Sequence, residues 1–185
     1  MDDTTLSALP PRPAVFFDRD GVLNVDKDFV YKIADLEWIE GAMDAVRWCN
    51  EHGYWVFVVT NQSGIARGYY TEADMRAFHQ HMQHQLNLHG ASIDAFAHCP
   101  HHPHGIIPAY TCSCHCRKPE AGLITTLLQR WPVDRAHSLL VGDSPRDMEA
   151  AHKAGIHAAL FSGGNLLHFL QTALPRTAPA LISFP

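Results

Sequence analysis

The chain has 185 residues, of which 46% are hydrophobic and 18% charged, which suits one globular domain with a core and leaves no room for a second full domain. Fourteen basic and nineteen acidic side chains give a formal net charge of −5, so broad attraction to nucleic acid or to an anionic membrane is not expected. No apolar run reaches the roughly 18 residues of a membrane helix, and the acidic, proline-broken N-terminus does not resemble a secretory signal. We therefore expect a folded protein of the cytoplasm.

Short apolar runs and amphipathic stretches follow one another along the chain. The apolar runs are continuous rather than alternating, which is typical of strands buried on both faces of a parallel sheet. Thr71 and Asp74 form a capping-box pattern, and Gly155 is a helix stop signal. In chain order we predict strand 14–17, helix 42–51, strand 55–59, helix 72–88, helix 123–130, strand 138–141, helix 146–154 and strand 158–161.

This alternation predicts an α/β fold with a doubly wound, mostly parallel sheet, in one domain over residues 1–185. In such sheets, ligands bind beyond the carboxyl ends of the strands. The interval from Gly21 to Trp55 is too short for a large cap domain. We therefore expect an open site in a monomeric protein.

The alternation breaks between Cys99 and Cys116, where proline, histidine and cysteine are concentrated. An odd total of five cysteines, four of them crowded here, suits a metal better than disulfides in a reducing compartment. The C-x-H-x12-C-x-C spacing fits a closed tetrahedral structural Zn²⁺ site in a loop insertion over 99–116. Its predicted ligands are Cys99, His101, Cys114 and Cys116. Competing candidates are Cys112, His102, His104 and His115.

Acidic residues follow the first strand and a later one. Asp18 and Asp20 follow the first strand, and Asp143 follows the strand over 138–141. Two carboxylates about 4 Å apart repel by about 4 kcal/mol at an effective dielectric near 20, so a shared cavity requires a cation. Oxygen ligands favour Mg²⁺, and Gly21 lets the backbone bend sharply beside them. Asp147 can be simply a first-turn acid favoured by the helix dipole.

Two further polar segments are candidates for phosphate binding. Thr60 to Ser63 follow the second strand with hydroxyl and amide groups that can cradle a phosphoryl group. Arg117 and Lys118 follow the cysteine-rich loop, and a lysine can reach a phosphate as a point charge. Taken separately, the first segment predicts a turn and the second a solvated surface pair.

The order Asp-x-Asp-Gly, Thr-Asn, Lys, Gly-Asp-Ser-x-x-x-Asp resembles the haloacid dehalogenase (HAD) superfamily. The resemblance implies that Asp18 is a nucleophile that forms an aspartyl-phosphate, with Asp20 as general acid and then general base. It implies that Thr60 and Lys118 hold the phosphoryl oxygens. It also implies Mg²⁺ between Asp18, the backbone carbonyl of Asp20 and Asp143.

The motifs DRDGVLN, VTNQSGIARG, CPHHP and C-x-CRKP are similar to those of the heptose-1,7-bisphosphate 7-phosphatases within that superfamily. This implies a small-molecule sugar bisphosphate as substrate and a heptose 1-phosphate as product, on the route to nucleotide-activated heptose for surface polysaccharide. The substrate contacts implied are Asp26, Lys27, Asp28, Phe29, Thr60, Asn61, Gln62, Ser63, Arg117 and Lys118. Ser144 stands where some relatives have a basic residue.

Two alternatives remain open from the sequence. The histidinol-phosphatase group shares the DRDG start and a zinc loop, although its loop is usually shorter than the x12 spacer found here. A zinc-knuckle module that binds nucleic acid belongs to a different class. The net charge of −5 and the lack of a basic, aromatic stripe argue against that class.

Overall fold

The computed structural model describes residues 9–174, so the two ends of the predicted domain, 1–8 and 175–185, lie outside the described residues. None of the described helices is long and apolar enough to cross a membrane. The strands are β1 Ala14–Phe17, β2 Trp55–Asn61, β3 Ala95–Cys99, β4 Leu139–Gly142 and β5 His157–Leu160. The helices are α1 Ala42–Glu51, α2 Glu72–Leu88, α3 Gly122–Arg130, α4 Pro145–Ala154 and α5 Leu166–Ala173, with 3-10 turns at Ile33–Asp35, Pro108–Tyr110 and Arg135–His137.

The five strands form one sheet in the order β3-β2-β1-β4-β5, and every neighbouring pair is parallel. β1 is central and completely buried, which its unbroken apolar sequence predicts. The doubly wound α/β prediction is therefore confirmed. Because the strands are parallel, the residues that follow β1, β2 and β4 meet at one edge of the sheet.

Helices cover both faces of the sheet. α1, α2 and α5 contribute to the core on one face, and α3 and α4 to the core on the other. The predicted capping box of α2 is present, since the Thr71 hydroxyl accepts from the Asp74 amide and the Asp74 carboxylate accepts from the Thr71 amide. No cap domain interrupts the described residues, and the segment between β1 and α1 holds a short 3-10 turn and two isolated β-bridges, Asp20–Asn24 and Asn24–Trp38.

Two elements were not among the predicted ones. β3 is an edge strand of mostly half-buried residues, so its sequence AFAHC has no continuous apolar run. α5 buries only Leu166 and Leu170, which pack against the same core as α1.

Candidate active site and metal sites

A cleft of about 290 Å³ lies at the carboxyl edge of the sheet. Its walls include every predicted catalytic and substrate residue except Lys27, and Asp143 also lines it. Three residues that the sequence interpretation did not single out, Arg67, Tyr70 and Arg146, complete the wall. The fold thus brings together segments that are far apart in sequence.

Lys118 is the buried centre of the cleft floor. Its ammonium donates to the Val59 carbonyl at 2.8 Å and lies 2.9 Å from Asp18 Oδ2 and 2.6 Å from Asp147 Oδ1. Burial acts to lower the pKa of Lys118, but the two carboxylates outweigh it and raise the pKa overall. The lysine is therefore a fixed positive charge whose three donors all have acceptors.

The backbone of Lys118 is held by the side chain of Asn61 at the end of β2. Asn61 Oδ1 accepts from the Lys118 amide at 3.0 Å, and Asn61 Nδ2 donates to the Lys118 carbonyl at 3.0 Å. Both polar ends of the amide are therefore used within the protein. Asn61 lines the cleft as predicted, but its side chain fixes the position of the lysine.

Asp147 belongs to this buried group rather than being only a first-turn acid of α4. Its Oδ2 accepts from the Ser144 amide and hydroxyl, both at 3.1 Å, while its Oδ1 faces Lys118. Burial, followed by the charges of Asp147 and Asp20, raises the pKa of Asp18 to about 6 against the lowering effect of Lys118. A bound cation would favour the carboxylate that the nucleophile role requires.

Carboxylate oxygens of Asp18, Asp143 and Asp147 lie within 4.8 Å of one another, which suits a hard divalent cation such as Mg²⁺. Since both Asp147 oxygens already have partners, Asp18 and Asp143 are the side chains best placed to hold it. Gly21 makes room for this pair, because a Cβ at that position would lie 2.1 Å from Asp143 Oδ2. The residues present therefore fit the predicted magnesium site.

Gly21→Ala should lower kcat by on the order of 10²-fold, because the added methyl displaces Asp143 and small misplacements of reacting groups have effects of that size. Gly53→Ala is the matched control, since Gly53 also has a positive φ (76°, against 82° at Gly21) but nothing lies within 4 Å of its Cβ position. Steady-state kinetics at saturating Mg²⁺ checks the difference. Equal kcat values in the two variants would contradict the proposed role of Gly21.

The carboxylate of Asp20 is held on both oxygens. Arg19 donates to Oδ1 through Nε at 3.1 Å and to both oxygens through Nη2 at 2.9 Å. Asn24 Nδ2 donates to Oδ1 and Gln62 Nε2 to Oδ2, each at 3.0 Å. Its side chain is therefore fixed by protein donors, which leaves only its backbone carbonyl for the predicted metal contact.

Gln62 links several groups at the end of β2. Its amide nitrogen also donates to Thr60 Oγ1 at 2.8 Å, and its carbonyl oxygen accepts from the Tyr70 hydroxyl. Gln62 is only 2% exposed, so its side chain supports the cleft wall from behind. Because Thr60 Oγ1 already accepts a hydrogen bond, its own proton is left to donate. Ser63 also lines the cleft.

The segment after β1 supplies the outer wall. Asp28 and Phe29 both have a φ of 57°, and Asp26 Oδ1 accepts from the Asp28 amide at 3.0 Å. A bulky residue such as Phe29 rarely adopts this backbone conformation. The exceptions are concentrated at binding and active sites. Lys27 instead pairs with Glu37 at 2.9 Å, so the structure does not bring it to the cleft.

Three guanidinium groups line the cleft. Arg117 Nη1 donates to the His101 carbonyl at 3.4 Å, Arg67 Nη2 lies 3.2 Å from His102 Nε2, and Arg146 Nε donates to the Ser144 hydroxyl at 2.8 Å. Burial lowers the pKa of Arg117, and the charges of Arg146 and Arg67 also act to lower it. Across residues 9–174, none of the three forms an ion pair with a carboxylate.

The four predicted zinc ligands form one cluster beside the cleft. Their sulfur–sulfur distances are 3.1 Å for Cys99–Cys116, 3.3 Å for Cys114–Cys116 and 3.5 Å for Cys99–Cys114. His101 Nδ1 lies 3.3 Å from Cys116 Sγ. Tetrahedral Zn²⁺ with bonds of about 2.3 Å would place sulfurs about 3.8 Å apart, so the donor set fits this ion with slight expansion. Cys112 is exposed and outside the cluster.

Comparisons with known proteins agree with this geometry. A sequence model of the HAD-hydrolase-like family matches residues 115–180. A D-glycero-β-D-manno-heptose-1,7-bisphosphate 7-phosphatase from Rhodopseudomonas palustris is 44% identical over 177 residues, which cover 96% of this chain and 98% of that protein. The protein of the same name from Escherichia coli K12 is 41% identical over 144 residues, covering 78% of this chain and 75% of its own.

A solved structure extends the match. It is a D,D-heptose 1,7-bisphosphate phosphatase from B. bronchiseptica, complexed with magnesium and phosphate. It has a TM-score of 0.74 and 36% sequence identity to this chain, over 89% of each. The chain therefore belongs to the D-glycero-D-manno-heptose-1,7-bisphosphate 7-phosphatase family of HAD-superfamily hydrolases.

Proposed function

We propose that the protein removes the 7-phosphate of D-glycero-D-manno-heptose 1,7-bisphosphate and leaves the heptose 1-phosphate. The observation that carries this proposal is the buried group of Asp18, Lys118 and Asp147 beside Asp20, beneath a cleft lined by three arginines. The names of the relatives support it and favour it over histidinol-phosphate hydrolysis. A zinc-knuckle module would have no use for this group of buried charges.

In the first step, an Asp18 oxygen attacks phosphorus while the bond between phosphorus and the sugar oxygen breaks. Asp20 donates its proton to that departing oxygen, so the sugar leaves as an alcohol. In the second step, Asp20 takes a proton from water, and the resulting hydroxide releases phosphate from Asp18. The hydroxyl of Thr60 donates to a phosphoryl oxygen in both steps, and the buried positive charge of Lys118 beside Asp18 attracts the phosphoryl oxygens.

We assign Mg²⁺ to Asp18, Asp143 and the backbone carbonyl of Asp20, where it would neutralise phosphoryl charge. The magnesium and phosphate in the B. bronchiseptica relative support the assignment. We assign Zn²⁺ to the cluster of Cys99, His101, Cys114 and Cys116, where it would hold the loop in place. Proton transfer and nucleophilic attack are then performed by side chains of the chain itself.

The second phosphate of the substrate lies, in this proposal, against Arg67, Arg117 and Arg146. Three cations that line one cleft without carboxylate partners among the described residues favour a dianion beside them. Histidinol phosphate carries an amine at the corresponding end, which these charges would repel. Asp26, Asp28, Phe29 and Ser63 would then contact the sugar between the two phosphates.

Arg117→Ala should lower kcat/KM for the heptose bisphosphate by about 10- to 10³-fold, because it removes one or two charge-assisted hydrogen bonds. p-Nitrophenyl phosphate has no second phosphate, so its kcat/KM should change much less. Arg135→Ala, at an exposed position outside the cleft wall, is the control. Equal losses on the two substrates would assign Arg117 to the common phosphoryl site instead.

We further propose that the protein acts as a monomer in the cytoplasm. The five cysteines are free thiols, which suits a reducing compartment. All residues of the cleft come from one chain, so a second subunit is not needed to bind a small sugar bisphosphate. Its product would feed a nucleotidyl transfer reaction that activates the heptose for surface polysaccharide. Side-by-side phosphate release from the heptose bisphosphate and from histidinol phosphate tests the substrate assignment, and light scattering tests the monomer.

A further inference from the structure

The Arg19 side chain lies behind the cleft and is completely buried. One end of its guanidinium holds both oxygens of Asp20, as described above. The two Nη nitrogens also contact two further partners. Nη2 donates to the Val30 carbonyl at 2.6 Å, and Nη1 lies 3.3 Å from Nε2 of His79 on α2. A single side chain, that of Arg19, thus connects His79 to Asp20, the proposed general acid and base.

His79 acts as a neutral acceptor in this arrangement. A guanidinium has donors but no acceptor, so Nε2 of His79 must accept and the ring proton must be on Nδ1. His79 is only 6% exposed, and its ring stacks on Phe96 of β3 with the ring centroids 4.5 Å apart and an angle of 18° between the planes. This packing fixes the imidazole plane, and with it the direction in which Nε2 points at Arg19.

The charge on Asp20 changes during the proposed reaction, so Arg19 needs a second set of partners, which includes His79. When Asp20 carries its proton, the ion pair with Arg19 is lost and only weaker hydrogen bonds join the two groups. The buried guanidinium then needs partners whose charge stays constant. The Val30 carbonyl and His79 Nε2 are such partners, and Phe78 packs against the guanidinium with its ring centroid 4.8 Å from Cζ.

We propose that His79 is a positioning residue that, through Arg19, keeps the Asp20 carboxyl aligned for proton transfer in both steps. The inference rests on the proposed acid and base role of Asp20. It concerns kcat rather than substrate binding, because neither Arg19 nor His79 lines the cleft. His79 itself exchanges no proton with the substrate.

The test compares His79→Gln with His79→Met. The two replacements have nearly the same length and shape, but only glutamine offers an acceptor near the position of Nε2. We expect His79→Met to lower kcat for the heptose bisphosphate by roughly tenfold, the effect of one charge-assisted hydrogen bond, with KM within about twofold. His79→Gln should restore most of the loss. His84→Gln and His84→Met, at an exposed position of the same helix, are the controls.

The double variant Asp20→Asn/His79→Met separates this inference from the proposed function. If His79 acts through Asp20, adding His79→Met to Asp20→Asn should lower kcat no further. Unchanged kcat in Asp20→Asn alone would overturn the role of Asp20. A large effect of Asp20→Asn combined with equal kcat in His79→Gln and His79→Met would overturn only the role of His79. If His79→Met does not fold, His79→Leu, which also lacks an acceptor, replaces it and should show the same kcat loss without a KM change.

Discussion

Asp18→Asn should reduce phosphate release to background from both the heptose bisphosphate and p-nitrophenyl phosphate. The amide has nearly the shape of the carboxylate but cannot attack phosphorus. Lys118 would still have Asp147 at 2.6 Å, so its buried charge stays paired and the fold should persist. Phosphate release at saturating Mg²⁺ measures the activity, and circular dichroism measures the fold. A rate close to that of the unmodified enzyme would contradict the mechanism.

Asp20→Asn is the informative companion, because it removes the proton donor but keeps the nucleophile. General acid and base catalysis contributes typically 10²- to 10⁴-fold, so turnover should fall by about that factor. A phosphorylated enzyme should accumulate with p-nitrophenyl phosphate, whose leaving group needs little protonation, and intact-mass spectrometry would detect it. Asp35→Asn, an exposed change in the first 3-10 turn, should leave both readouts unchanged.

Cys114→Ser should lose the bound zinc, whereas Cys112→Ser should keep it. Cys114 Sγ lies 3.3 Å from Cys116 Sγ within the four-ligand cluster, but Cys112 is exposed and outside it. In isolated zinc peptides the metal contributes on the order of 10 kcal/mol to folding, and a loop already constrained by the fold should lose less. Elemental analysis of the purified variants measures the zinc content. Equal content in both variants would show that the ligand choice is wrong.

Loss of zinc should also reach the cleft. The Cys99 carbonyl accepts from the backbone amide of Gln62 at 2.8 Å, and the His101 carbonyl accepts from the Arg117 guanidinium. Two ligand residues therefore hold two residues of the cleft wall through their backbone. Cys114→Ser should consequently lower kcat/KM as well as the melting temperature, while Cys112→Ser changes neither.

The central sheet and the long helix could be predicted from the sequence because local signals and burial agree there. α2 has the predicted bounds, Glu72–Leu88, since Thr71 and Asp74 cap its start and nothing in the tertiary structure opposes that signal. β3 gave no comparable signal, because a half-buried edge strand needs only one neighbour and tolerates alanine and histidine. β5, the other edge strand, was still predicted because residues 158–161 form an apolar run.

The cleft was predictable where chemistry follows directly from a strand end, as for Asp18 and Asp143. The role of Asp147 was not predictable, because the helix dipole already explains an acid in the first turn. The contact of its Oδ1 with Lys118 is visible only in the three-dimensional structure. Arg67 lies far from Arg117 in the sequence, so only the fold shows that their charges converge. Lys27 was expected to contact the substrate, but its ammonium pairs with Glu37 and it does not line the cleft.

The two hydrogen bonds of the Asn61 side chain also limit which amino acids can replace it during evolution. It presents a donor and an acceptor on one short planar group, matched to the amide and carbonyl of Lys118. Aspartate would turn the donor into an acceptor, leucine would offer neither, and glutamine would extend the group by one methylene. Surface pairs such as Arg47 and Asp44 can be exchanged at little cost, whereas position 61 has no equivalent replacement among the genetically encoded residues.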